Sequence, residues 1–211
     1  MSKHLLHLDS SILGASSASR MLSSHVVKQF RQRVDGLRVT YRDLAAEPIP
    51  HLSGIYLTAT YDALDPPSDP ALDADLALGE TVMQEFLSAD VVVIGVAFYN
   101  FSISSQLKAW VDRIAIAGKT FRYTESGQPE GLAGDKRVIL AIARGGYYGD
   151  SSPARAMEHA ERYLRSAFSF IGVKHLDVVA ADGLKVSAAQ REIAIAQALA
   201  RIEETVAALA A

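Results

Sequence analysis

Residues 91–104 read Val91-Val92-Val93-Ile94-Gly95-Val96-Ala97-Phe98-Tyr99-Asn100-Phe101-Ser102-Ile103-Ser104, and this stretch decides the fold. Its first half is apolar, rich in β-branched residues and too short for a typical helix. Such a run suits a strand buried on both faces, as in the middle of a parallel sheet. At Phe98 the chemistry changes. Phe98, Tyr99 and Phe101 flank Asn100, and Ser102, Ser104 and Ser105 lead into Gln106-Leu107-Lys108-Ala109-Trp110, which reads as a helix. In an open α/β sheet, ligands sit beyond the carboxyl ends of the strands, where the strand order reverses. Aromatic walls with short polar groups at that place point to a flat, partly polar ligand.

Upstream, residues 3–9 make a short strand, the serine-rich segment Ser10–Ser19 a loop, and the residues up to Gly36 a helix, the first half of a βαβ unit. Residues 37–41 form a plausible outer strand. Residues 43–75 hold five of the seven prolines, which predicts a surface excursion with a helical turn around Ile55–Ala59. A helix from Asp75 to Leu87 then feeds the opening strand. Downstream, apolar residues at three- and four-residue spacing predict a helix over 104–117, closed by Gly118. Residues 121–132 look like a hairpin insertion, and 138–143 like another buried strand ending at Arg144-Gly145-Gly146. A helix from Pro153 places Met157, Ala160, Leu164, Phe168 and Ile171 on one stripe. Residues 176–181 form the last strand, and Ser187-Ala188-Ala189-Gln190 fits a capping box opening a final helix to about Leu209. Strands alternate with helices throughout. With right-handed crossovers the expected architecture is a single α/β domain over residues 1–211, a doubly wound five-stranded parallel sheet in the flavodoxin-like order 2-1-3-4-5.

Bulk composition narrows the function. A chain of 211 residues buries enough surface for an independent core. Net charge is −3 and the 21 Lys and Arg residues are scattered, so the clustered basic footprint of a nucleic-acid binder is absent. The chain has no cysteine, which excludes disulfides, a thiolate nucleophile and Cys-ligated Fe–S clusters. His7 and Asp9 interrupt any apolar signal core after Lys3, and no window approaches about 18 apolar residues. The expectation is a soluble, cytoplasmic chain with no membrane partner.

Three loops carry candidate chemistry. The Ser10–Ser19 loop feeds a helix N-terminus, whose free N–H groups and dipole favour an anion, and serine hydroxyls can complete a phosphate cradle. A serine-rich connector with one N-cap serine accounts for the same residues. The loop lacks the Walker A lysine, and Gly-x-Gly-x-x-Gly occurs nowhere. The Phe98–Phe101 segment is the second loop. Paired glycines at Gly145-Gly146 let backbone N–H groups approach a ligand, although an ordinary turn uses them equally well. His4 and His7, three apart on a strand, would point to opposite faces, so no metal site is expected. Gly-x-Ser-x-Gly is absent, which removes a hydrolase elbow. The carboxylates are scattered with no acid/base pair. Asp9, at the end of the first strand, is the one placed near the site, and a solvated loop aspartate accounts for it as well.

Taken together these residues resemble the FMN-dependent NADH:quinone oxidoreductase and azoreductase family of bacteria. The carriers are Ser10-Ser11-Ile12-Leu13 with Ser17-Ala18-Ser19, Arg42-Asp43-Leu44 with Pro48-Ile49-Pro50, Tyr99-Asn100-Phe101-Ser102-Ile103-Ser104 with Gln106-Leu107-Lys108, Thr120-Phe121-Arg122-Tyr123-Thr124, and Arg144-Gly145-Gly146. The resemblance implies a flavodoxin-like homodimer with FMN bound near the subunit interface. Ser11, Ser17, Ala18 and Ser19 would hold the FMN phosphate. Phe98, Tyr99, Asn100 and Phe101 would lie along the ring and ribityl chain, and Ala143, Arg144, Gly145 and Gly146 would close the pyrimidine side. Two positions depart from the family's common pattern. Ala97-Phe98 stands where Pro-Met is frequent, and Ala143 where a serine is frequent.

The implied activity is two-electron transfer from NADH or NADPH to quinones and azo compounds. Both substrates would use one exposed flavin face in turn, which predicts ping-pong kinetics. The cofactor carries the chemistry and no side chain is expected to act as a catalytic acid. A flavodoxin-type electron carrier is the alternative from a different class, and it would be expected to show a strongly charged docking face.

Overall fold

The computed structural model describes residues 3–61 and 69–210. Among these the strands are β1 (His4–Asp9), β2 (Arg38–Asp43), β3 (Val91–Ala97), β4 (Phe121–Tyr123), β5 (Pro129–Gly131), β6 (Arg137–Ala143) and β7 (His175–Ala181). β4 and β5 pair as the expected antiparallel hairpin. The other five form a parallel sheet in the order β2-β1-β3-β6-β7. Counted among the sheet strands alone, this is the expected 2-1-3-4-5 order, and the hairpin accounts for the shift in numbers.

Burial follows the sequence pattern. Every residue of β1 and β3 is buried, whereas the edge strands β2 and β7 are mostly half-exposed. Continuous apolar runs belong where helices cover both faces. The helices are α1 (Ala18–Arg33), α2 (Gly54–Tyr61), α3 (Pro70–Ser88), α4 (Ser105–Ile114), α5 (Ala160–Phe170) and α6 (Ala188–Ala210). Alternate strand residues feed two cores. Leu6, Leu8, Val92, Ile94 and Leu140 pack on Phe86, Trp110 and Phe168 of α3, α4 and α5. Leu5, Val93, Ile139 and Val179 pack on Leu22, Val26, Phe30 and Ile202 of α1 and α6. His4 and His7 do point to opposite faces, towards the Ser88 carbonyl at the end of α3 and Ser23 of α1 respectively.

Three boundaries differ from the sequence expectation, each for an identifiable reason. α3 starts five residues early, because Asp69 caps it (Ala71 N–H to Asp69 Oδ1, 2.9 Å) and Pro70 occupies the first turn. A proline there fits a helix start instead of interrupting one. Pro66 and Pro67 lie outside the described residues. The excursion before α3 is also less loose than expected. Arg113 of α4, fully buried, donates to the Pro50 carbonyl (2.9 Å) and to Asp75 (2.8 and 3.0 Å), and its guanidinium sits 3.7 Å over the Tyr56 ring.

α4 ends before Gly118 because Thr120 intervenes. Its hydroxyl donates to the Ile114 carbonyl (2.5 Å) and accepts from the Ile116 N–H (3.2 Å), closing the helix end. The helix expected from Pro153 is two elements, a 3-10 turn over Pro153–Met157 and then α5. The break falls at Glu158, whose carboxylate accepts the N–H groups of Glu161 (3.0 Å) and Arg162 (3.4 Å) and so starts α5 afresh. Met157, expected on the buried stripe, is therefore 43% exposed. Among the described residues no helix is long and apolar enough to cross a membrane, and no group of three or more His, Asp or Glu could hold a metal.

Candidate functional site

Parallel pairing brings Asp9, Ala97, Ala143 and Ala181 to one rim of the sheet, since Asp9 is level with Gly95, Ala97 with Ala143, and Ala143 with Ala181. The loop after β1 uses its serines for different purposes. Ser10 Oγ donates to the Gly95 carbonyl (2.8 Å) and ties the loop to the neighbouring strand. Ser11 Oγ lies 3.1 Å from the Tyr99 hydroxyl and accepts the Leu13 N–H (3.3 Å). A 3-10 turn over Gly14–Ser16 follows, and Ser17 then caps α1 by accepting the Arg20 N–H (3.4 Å). Ser17 Oγ and Ser19 Oγ are 3.0 Å apart. The N–H groups of Ala18 and Ser19 open the helix without intrahelical partners, so the loop ends in a group of donors at the positive end of a dipole.

Arg20 holds this loop from behind. Its guanidinium donates to the Ser11 carbonyl through Nη2 (2.7 Å) and Nε (3.2 Å), and to Asp43 through Nη1 (2.5 Å) and Nη2 (2.7 Å). Nη1 also lies 3.9 Å from Asp9. The expectation of a solvated Asp9 is corrected. It is 2% exposed and accepts from Ser23 Oγ (2.7 Å) and the Tyr41 hydroxyl (3.1 Å). Gly95 makes room for it, because a Cβ there would lie 2.3 Å from Asp9 Oδ1. The hydrogen bond from Arg20 holds the Asp43 carboxyl below its ordinary value despite partial burial. Burial and the neighbouring Asp9 push the Tyr41 phenol up to about 12, which keeps it a donor.

After β3 the chain makes a tight reversal. Tyr99 and Ser102 exchange two backbone hydrogen bonds of 2.9 Å, with Asn100 (φ 47°) and Phe101 (φ 70°) as the central pair. Positive φ at both central positions is the pattern of a type I′ turn. Asparagine tolerates it, whereas a phenylalanine there is strained. The Phe101 carbonyl accepts the His159 N–H (2.9 Å) and its ring is 41% exposed. Phe98, which stands where the resembled family often has methionine, packs against Tyr148 with ring centroids 4.7 Å apart.

The loop after β6 is fixed by the β7–α6 connection. The Gly145 carbonyl accepts the Lys185 N–H and the Gly146 carbonyl accepts the Gly183 N–H, both at 2.9 Å. The amides of Gly145 and Gly146 donate to nothing among the described residues. Arg144 departs from its expected place. Its side chain turns away into a buried cluster, meeting Glu158 (3.3 Å), Glu161 (3.0 Å) and Asp182 (3.3 Å). Burial pushes the Glu161 carboxyl up, but hydrogen bonds from Arg165 and Arg144 outweigh it and hold it below the ordinary value.

The three loops enclose one cavity of about 540 Å³. Ser11, Ser17, Ala18, Ser19, Phe98, Tyr99, Asn100, Phe101, Ala143, Gly145 and Gly146 all line it, and Arg144 does not. Sequence reasoning missed Leu13, Ser16, Tyr148, Leu184, Lys185 and Arg191. Leu13 and Ser16 sit inside the serine loop already singled out, and Tyr148 follows the paired glycines by two residues. Lys185 and Arg191 carried no local signal. The cavity joins hydroxyl and N–H donors at the α1 end, an aromatic wall, and free backbone donors at the far end. Its size falls within the usual range of small-molecule sites.

A family model described as having a flavodoxin-like fold matches residues 3–206. The FMN-dependent NADH:quinone oxidoreductase of Xanthomonas campestris pv. campestris is 57% identical over 201 residues, covering 94% of this chain and 97% of the relative. The FMN-dependent NADH:quinone oxidoreductase 2 of Bradyrhizobium diazoefficiens is 53% identical over 195 residues, covering 92% and 95%. Among solved structures, an FMN-dependent NADH-azoreductase from Bacillus anthracis in complex with FMN superposes with a TM-score of 0.89 at 26% identity, over 100% of both chains. On this evidence the chain belongs to the flavodoxin-like family of FMN-dependent NADH:quinone oxidoreductases.

Proposed function

We propose that the chain is a single-domain, cytoplasmic oxidoreductase that holds FMN in this cavity and transfers two electrons from NADH or NADPH to a quinone or an azo compound. The carrying observation is the convergence of three strand-end loops on one cavity, with an anion-accepting helix end opposite free backbone donors. The residues present fit the group. Ser11, Ser17 and Ser19, with the free N–H groups at the start of α1, suit a phosphate. Phe98, Tyr99, Asn100 and Phe101 supply flat walls and one amide. Ala143 offers only backbone, and the amides of Gly145 and Gly146 are donors for the polar edge of a ring. Arg144 serves this wall indirectly, by anchoring the loop that presents those amides.

When bound, FMN supplies the two-electron carrier that amino acids lack. The protein's own part is to bind, orient and leave one face open. Tyr148 behind Phe98 and Ser102 paired with Tyr99 keep the aromatic wall in place. No carboxylate or histidine among the described residues lines the cavity, so proton exchange falls to water. One open face serving two substrates in turn gives ping-pong kinetics. The electron-carrier reading is disfavoured by the mild net charge of −3 and by relatives named for their own NADH-dependent reaction.

A second copy of the chain completes the picture. Ile12, Leu13 and Phe101 are exposed apolar side chains beside the site, and Tyr123, Leu132 and Phe170 lie exposed on and near the β4–β5 hairpin. Apolar surface of this kind marks contact surfaces. Light scattering on the eluting protein is expected to give twice the chain mass.

The decisive experiment is the visible spectrum of the purified chain, with the released cofactor identified, followed by NADH oxidation with a quinone at several fixed acceptor concentrations. A yellow protein giving parallel double-reciprocal lines is expected. A colourless protein, or a yellow one that leaves NADH unoxidised, overturns the proposal.

A further inference from the structure

A second cavity of about 890 Å³ adjoins the first and shares Phe98, Tyr99, Asn100 and Lys185 with it. We propose that it binds a planar aromatic acceptor carrying a negative charge, and that the Lys185 ammonium recognises that charge. The inference rests on the reading above for the role of the first cavity and adds the charge class of the acceptor.

Its walls suit a flat molecule. Ile12, Phe98, Ile103 and Tyr163 are apolar or aromatic, and Ser102 and Gln106 add neutral polar groups. Burial pushes the Tyr163 phenol up to about 12, so it stays a neutral donor. The charges are one-sided. The chain as a whole has more acid than base, 24 against 21, yet no carboxylate among the described residues lines either cavity. Cations do: Lys108 and Lys185 line the second, Lys185 and Arg191 the first.

The cations are not equivalent. Lys108 is neutralised by Asp112 one helical turn on (2.5 Å). The Lys185 side chain is exposed and its ammonium has no hydrogen bond or ion pair among the described residues, while its backbone is held. Its N–H donates to the Gly145 carbonyl (2.9 Å), the preceding Leu184 N–H to the Arg144 carbonyl (3.1 Å). Its stem lies along Gly145, where a Cβ would be 3.3 Å from Cγ and 3.2 Å from Cδ. A stem lying along glycine, with an exposed and unpaired ammonium at the boundary of two cavities, is placed to meet an anionic group there.

The test compares anthraquinone-2-sulfonate with the uncharged 2-(hydroxymethyl)anthraquinone, binding each to the flavin-loaded protein by calorimetry and measuring kcat/KM for each with NADH. Native protein is expected to favour the sulfonate. Lys185→Gln lowers the sulfonate-to-neutral ratio about tenfold in both measurements, Lys185→Arg restores most of it, and half-molar salt narrows it. A ratio unchanged by Lys185→Gln overturns the inference. So does a Lys185→Gln effect confined to the KM for NADH, which would assign the ammonium to the phosphates of the nucleotide. If the purified chain holds no FMN, the functional reading falls, while calorimetry on the same variants still decides whether Lys185 binds the sulfonate.

Discussion

The two ends of the cavity are built alike, and its middle is built in another way. The serine loop and the Gly145–Gly146 loop are each fixed by a largely buried arginine among carboxylates, Arg20 with Asp43 and Asp9, Arg144 with Glu158, Glu161 and Asp182. The Asn100–Phe101 turn between them has no such support. It is held by its own two backbone hydrogen bonds and one from His159, against a strained conformation at Phe101. The contrast separates ends braced by buried ion pairs from a middle braced by backbone hydrogen bonds alone. On the proposed function, donors for fixed groups need a stiff frame, whereas a wall that would meet different substrates tolerates adjustment.

Breaking the stiffer of the two arginine clusters has the largest expected effect. Arg144→Met leaves Glu158, which is 1% exposed, as an unpaired buried charge, and is expected to cost about 3–5 kcal/mol in urea unfolding. Adding Glu158→Gln should recover part of that loss, because the orphaned charge goes with it. A loss below about 1 kcal/mol would mean that water reaches the cluster and that Arg144 is no anchor.

Arg20→Met comes next. It frees the Ser11 carbonyl and is expected to weaken FMN binding about 10- to 100-fold by fluorescence titration. Arg20→Lys should restore only part, since one ammonium cannot span both Ser11 and Asp43. Unchanged affinity would show that the loop keeps its shape without this support.

Acid should loosen both ends together. Asp43 and Glu161 titrate below their unfolded values, so the stability they contribute is complete above the ordinary carboxyl range of about 3.9–4.3. It disappears as pH falls through their lower native values. Thermal unfolding followed from pH 7 downwards should therefore show a falling midpoint across the acid range, steeper than in Asp43→Asn. Equal slopes would remove Asp43 from the account.

The smallest effect belongs to the middle. Phe101→Gly relieves the positive φ but loosens the unfolded chain, so stability should change by no more than about 1 kcal/mol in either direction. Flavin binding should nonetheless weaken as the ring is lost. A large destabilisation would make the turn a structural element like its neighbours.

Much of this was legible in the sequence. Val91–Ala97 announced a central strand because only a strand covered on both faces carries so many apolar residues without interruption. The three loops were legible because serines, aromatics and paired glycines followed strands directly, and parallel strands bring such loops to one rim. The family resemblance put Arg144 with its loop at the cavity, yet a guanidinium within reach of three carboxylates turns towards them. Asp9 read as solvated because nothing local reveals that a glycine on another strand makes space for it. Lys185 and Arg191 were invisible for a related reason. They reach the cavity only through the docking of the β7–α6 connection on Gly145 and Gly146, which pairs residues some 40 positions apart.

Gly95 leaves a gap that a carboxylate fills, and this has an evolutionary consequence. Position 95 is free to gain a methyl group only in chains that have lost the acid at position 9, and an acid at position 9 can persist only opposite glycine. An acid at position 9 should thus always be accompanied by glycine at 95, although 86 residues separate them along the chain. Ancestral reconstructions that place a side chain at 95 while keeping the acid at 9 are expected to misfold.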